Sequence, residues 1–146
     1  MPSLAVERIE SVKAGLLTAM AFTFADLIAI LLNNFIFARW DMELSLLQVT
    51  SQLDSLITIA SALVSGFLFG VTYRYIIRND RNSHLKDGAV MAFGLVRGLA
   101  FLEATVIASG QFWSLSILIT EGILAFAFSR YCLDFALQRK FIKPFL

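Results

Sequence analysis

The sequence predicts an all-α protein, an integral membrane four-helix bundle, and three observations predict it. The 146 residues are 58% hydrophobic and only 16% charged, and the mean hydropathy is +0.76. Soluble domains run at roughly 45–50% apolar and about 25% charged. Charges bracket long apolar windows, and a bilayer core of about 30 Å needs roughly 20 such residues in a helix. Both prolines, Pro2 and Pro144, lie outside these windows, so none of them carries a ring that would break its hydrogen-bond ladder.

The first span, predicted at 13–38, lies between Lys13 and Arg39 and encloses one charge, Asp26. Its leader holds Glu7 and Glu10 beside Arg8 and Lys13. That pattern reads as a retained helix and not as a cleaved signal peptide. The second, at 54–77, is free of charge between Asp54 and Arg74. The third, at 86–109, opens at Asp87 and holds Arg97 and Glu103. The fourth, at 113–138, begins at Trp113 and carries Glu121 ahead of Arg130. Helix is the expected form, because backbone groups in lipid need partners within the segment. Barrel strands would alternate over short stretches, and these runs do not.

Between the first two spans, Met42, Leu46, Val49 and Leu53 recur at helical spacing after a capping Asp41. This stretch reads either as a surface helix meeting a partner or as a tether dipping into headgroups.

Counting Lys and Arg sets the orientation. Arg8, Lys13, Arg74, Arg78, Arg81, Lys86, Arg130, Arg139, Lys140 and Lys143 fall on one side, and Arg39 alone on the other. Both termini are therefore expected on the cytoplasmic side. Trp40 and Trp113 are expected at one interface and Tyr73, Tyr75 and Tyr131 at the other. The loop cations Arg74, Arg78, Arg81 and Lys86 read as the ordinary positive-inside signal, or as a surface for anionic lipid or a partner.

Four charges fall inside the spans: Asp26, Arg97, Glu103 and Glu121. Each ionised group at the bilayer centre costs about 2.5–3.5 kcal/mol on insertion scales, so all four are expected to face the interior, a neighbour or water. Counting residues by depth makes Asp26 and Glu121 the expected partners of Arg97. Thr23, Asp26 and Asn33 share a face of the first helix, and Thr58, Ser61, Ser65 and Thr72 form a polar stripe on the second. Gly66 with Gly70, and Gly94 with Gly98, are small-xxx-small pairs that let helices approach closely. Such charges fit a packing ion pair, a proton or ion path, or contact with a partner subunit, lipid or pigment.

Other classes are excluded. A net charge of +1 makes no electrostatic case for nucleic acid. One cysteine, Cys132, reads as a packing residue, and one histidine, His84, cannot build a multi-histidine metal site. No HExxH, GxSxG or phosphate-binding loop occurs, so no catalysis and no metal or cofactor is expected.

The chain also reads as two helix pairs. Lys13-Ala14-Gly15 parallels Lys86-Asp87-Gly88, Ser55-Leu56 parallels Ser114-Leu115, and Phe67 and Phe69 parallel Phe126 and Phe128. Duplication of one pair would give parallel repeats. The stretch Tyr73-Arg74-Tyr75 to Arg78, with Leu85-Lys86-Asp87-Gly88 and Ala92-Phe93-Gly94-Leu95-Val96-Arg97-Gly98, resembles small multi-span membrane proteins of cyanobacteria and chloroplasts whose function is uncharacterised. The resemblance covers roughly residues 66–103. It implies a photosynthetic or plasma membrane and transfers no activity. The expected function is that of an accessory or assembly subunit working through helix–helix contact inside a larger membrane complex, and the expected partners are the lipid bilayer and either other protein subunits or, on the alternative reading, further copies of the chain. The alternative is a proton- or ion-coupled transporter or channel subunit using Asp26, Glu103 and Glu121.

Overall fold

The computed structural model describes residues 4–36, 52–78, 82–101 and 112–145. They form four helices: α1 (Leu4–Ile36), α2 (Gln52–Ile77), α3 (Ser83–Phe101) and α4 (Phe112–Gln138). No strand occurs among the described residues. Three of the helices, α1, α2 and α4, are long and apolar enough to cross a membrane. Only 28%, 22% and 28% of their apolar windows are buried within the protein, so most of their apolar surface faces outward. Leu16, Met20, Phe24, Leu31 and Phe35 illustrate this on α1, all more than half exposed. A water-soluble fold hides such surface. Helix α3 carries Lys86, Asp87 and Arg97 within its 19 residues, and the rest of the third predicted span lies outside the described residues.

Helix α1 starts well before the predicted Lys13. Its first turns carry Glu7, Glu10 and Ser11, and each finds a partner that a free leader would lack (below). Helix α3 is capped by Asn82, whose Oδ1 accepts the His84 N–H at 3.0 Å. Helix α4 ends in a Schellman turn. The Phe141 N–H returns to the Ala136 carbonyl at 3.0 Å and the Lys140 N–H to the Leu137 carbonyl at 3.1 Å. Lys140 takes the left-handed position of that turn, φ 59°, where glycine is usual. The reversal buries Ile142 and lays residues 143–145 against α1 and α2.

Packing runs chiefly between α1 and α2, α3 and α4, and α1 and α4. The expected glycine seams lie at the first two contacts. A Cβ on Gly66 would stand 2.7 Å from the Thr18 carbonyl oxygen and 2.8 Å from the Ala19 Cα, and one on Gly70 would strike Thr18 Oγ1 and the Ala14 carbonyl. On the other side, a Cβ on Gly94 would meet Ile123 Cγ1 at 2.5 Å, and one on Gly98 the Ile119 Cα at 3.0 Å. Backbone-to-backbone approach of this kind is what small residues permit.

The two pairs do not repeat in detail. The seam sits on α2, the second helix of its pair, but on α3, the first helix of the other. The parallel also equates Phe69, fully buried, with Phe128, which is 43% exposed.

The core centre is aromatic, with one ring from each helix. Phe22 and Phe126 lie 4.3 Å apart, Phe69 and Phe126 5.1 Å, Phe69 and Phe93 5.4 Å, and Phe93 and Phe126 5.6 Å. Tilted and edge-to-face rings at these spacings add attraction beyond area burial. Polar side chains lie in two layers, one on each side of this Phe layer.

Candidate functional site

One polar layer joins α1, α2 and α3 one turn beyond the rings. Arg97 Nη2 lies 3.4 Å from Asp26 Oδ2. Its Nη1 donates to Ser65 Oγ at 2.9 Å and reaches the Ser61 carbonyl at 3.5 Å. The guanidinium carbon sits 5.0 Å from the centre of the Phe22 ring, a cation–π contact. The polar stripe on α2 and the acid on α1 thus meet the one basic residue on the C-terminal half of α3. Arg97 also sits in the wall of a cavity of about 490 Å³ between α2 and α3, with Ser61, Ser65, Val96 and Phe126.

Further from the rings, Asn33 Nδ2 donates to Glu121 Oε2 at 3.2 Å, joining α1 to α4. Asn33 is only 3% exposed. Asp26 and Asn33 are seven residues apart, two helical turns, so one face of α1 serves both contacts. Of the two acids expected to meet Arg97, the structure brings up Asp26, and Glu121 goes to Asn33 instead. Glu103 lies outside the described residues, as do Arg81, Trp40 and the predicted surface helix up to residue 51. Thr23, on the same stripe, has a buried hydroxyl with no hydrogen-bond partner among the described residues.

The second layer lies at the end of the bundle where the first turns of α1 meet the tail that follows α4. Arg74, expected at a lipid or partner surface, is instead 1% exposed. Its Nη2 pairs with Glu7 Oε2 at 2.6 Å, and its Nη1 donates to Ser11 Oγ at 2.7 Å and to the Glu7 carbonyl at 3.1 Å. Its Nε donates to the Lys143 carbonyl at 2.9 Å, and its Nη2 also reaches the Pro144 carbonyl at 3.4 Å. Glu10 completes the knot, with Oε2 accepting the Lys143 N–H at 2.8 Å and Oε1 the Lys13 ammonium at 2.8 Å. A planar guanidinium with forked donors suits this many acceptors, and an ammonium would not. Counting cations alone missed this cluster. The signal was an acid–acid–serine run, Glu7, Glu10 and Ser11, on successive turns of one apolar helix.

Beside it, Asp134 on α4 accepts the Tyr73 hydroxyl at 2.9 Å and the Lys86 ammonium at 3.2 Å. Arg130 reaches Asp134 at 3.7 Å and pairs with Asp87. Tyr73, expected at an interface, is fully buried, because its hydroxyl has this acceptor. Lys86 likewise spends its charge inside the molecule. Arg78 is exposed and lies 5.3 Å from the Phe145 ring. Tyr131 is 67% exposed and Trp113 73% exposed.

Among the described residues, no group of three or more His, Cys, Asp or Glu could hold a metal ion. No protein-family model, curated protein or solved structure matches the chain.

Proposed function

We propose that this protein is a non-catalytic integral membrane protein that acts as an accessory or assembly subunit of a larger membrane complex. The observation that carries this reading is the layer of four Phe rings between two polar layers that are mated within the chain. Such a bundle holds its shape with polar contacts and offers apolar helix faces outward. Among the described residues, the four Phe rings fill the centre of the bundle. The apolar outer faces of α1, α2 and α4 suit contact with lipid and with other transmembrane helices.

The membrane is a plasma or thylakoid membrane of the cyanobacterial and chloroplast type, with both termini on the cytoplasmic side. The clustering of Lys and Arg at one end of the bundle supports that topology.

A second reading, a proton- or ion-coupled subunit using Asp26, Glu103 and Glu121, draws support from Glu121, which lines a groove open to the outside of the bundle.

Native mass analysis of the tagged protein, purified in gentle detergent, tests the main reading. A large assembly with foreign subunits in fixed ratio is the expected result. A homo-oligomer with nothing else bound would overturn it and favour the second reading.

A further inference from the structure

Glu121 differs from the two acids that are ion-paired deep in the bundle, Asp26 and Asp134. Asp26 has Arg97 at 3.4 Å, and Asp134 has Lys86 at 3.2 Å. Among the described residues Glu121 has one hydrogen-bond partner, the neutral amide of Asn33 at 3.2 Å. It lines a cavity of about 340 Å³ between α1 and α4, walled by Phe24, Ile28, Leu32, Leu124 and Phe128. On its other side it borders a second cavity of about 270 Å³ with Trp113, Ser116 and Thr120. No charged residue of α4 lies between Trp113 and Arg130 except Glu121 itself. Facing it from α1 is Asn33, and Asp26 lies two turns before Asn33 on the same face of α1. The nearest charge on α3 is Arg97, at ion-pair distance from Asp26. In its middle stretch, Ser55 to Tyr73, α2 supplies no charge.

The middle of the described bundle therefore holds two carboxyl groups and one guanidinium. Apolar surroundings penalise an uncompensated charge by several kcal/mol, and the cluster becomes neutral when one carboxyl carries a proton. Asn33 suits that role in both states. Its amide N–H donates to the carboxylate, and its Oδ1 can accept an O–H from the acid.

From this geometry we propose that Glu121 is a reversible proton-binding site, held by Asn33 and reached through the apolar groove between α1 and α4. Proton uptake forms one O–H bond on the carboxylate, and release breaks that bond and returns the proton to water. The site lies on one side of the Phe layer, so it binds a proton without passing it across the bundle. This goes beyond the accessory reading and does not depend on it.

The test uses the full-length protein in neutral phosphatidylcholine vesicles and dicyclohexylcarbodiimide, a membrane-soluble reagent. A protonated carboxyl adds across one N=C bond, its proton passes to nitrogen, and acyl migration leaves a stable N-acylurea with no leaving group. Peptide mass mapping of the wild-type protein is expected to place the label on Glu121. Above the titration midpoint, labelling falls about tenfold per pH unit. Asp26 remains unlabelled, and a water-soluble carbodiimide leaves Glu121 unmodified. Glu121→Gln removes the label, and Asn33→Leu shifts the midpoint. Because the mapping needs no variant, a misfolded mutant does not obstruct it. Absence of label on Glu121, labelling that ignores pH, or equal labelling by the water-soluble reagent would each overturn the proposal.

Discussion

Arg74 and Arg97 are both inward-facing guanidiniums in apolar helices, and they are anchored in different ways. Arg74 sits where α1, α2 and the returning tail converge, and it binds Glu7 at 2.6 Å, Ser11 at 2.7 Å and the Lys143 carbonyl at 2.9 Å. Arg97 sits where α2 and α3 touch little, with Asp26 at 3.4 Å and a cavity beside it. The difference teaches that burial depth along a helix is a poor guide to how tightly a charge is held. What matters is how many acceptors the surrounding elements bring. The tail supplies two backbone carbonyls to Arg74, at 2.9 and 3.4 Å, whereas a regular helix engages its carbonyls in the i to i−4 ladder and offers Arg97 only the longer Ser61 carbonyl contact at 3.5 Å.

The largest effect is expected for Arg74→Met. It strands Glu7 and frees the tail, and breaking a buried pair from one side costs about 3–5 kcal/mol. Thermal unfolding in detergent would read this as a large drop in midpoint, with Arg74→Lys recovering only part of it. Arg97→Ala is expected to cost less, about 2–3 kcal/mol, since the pair is longer and partly open. A cycle adding Asp26→Leu sharpens the point. The double variant should recover part of the loss, with a coupling of about 1–2 kcal/mol. Strict additivity would break the assignment of Asp26 as the partner.

Gly70 lies one turn from Arg74 and sets the close α1–α2 contact. Gly70→Ala is expected to cost about 2 kcal/mol by overpacking, and to loosen the Arg74 knot enough that limited proteolysis clips the tail. Ser65→Ala removes one donor–acceptor contact to Arg97 and should cost about 1 kcal/mol. The smallest effect is a gain. Lys140→Gly relieves the left-handed backbone of the Schellman turn and should stabilise by about 0.5–1 kcal/mol, seen as a small rise in the unfolding midpoint.

The helices were legible because hydrophobic runs bounded by charges report span length directly. The second and fourth spans begin and end within two residues of their predicted limits, at Gln52–Ile77 and Phe112–Gln138. The glycine seams were legible for a similar reason, since close approach needs residues without side chains. The Asp26–Arg97 contact followed from matching depths. Asn33 as the partner of Glu121 did not, because counting charges hides a neutral amide. Arg74 was misread for the opposite reason. A cation in a short loop between spans satisfies the positive-inside pattern whether it faces water or folds inward. Only tertiary structure brings Glu7 and Lys143 to it, across sequence distances no local pattern records.

The central claim is that the ion pairs inside the bundle serve structure, that Glu121 takes up a proton on its own side only, and that the Phe layer closes the path between the two polar layers. Proton and cation flux into vesicles carrying the purified protein, followed with an internal pH-sensitive dye, tests it most directly. The expected result is a rate equal to that of empty vesicles, for the wild type and for Glu121→Gln alike. Flux well above empty vesicles that disappears with Glu121→Gln would contradict the account and make the bundle a conducting one.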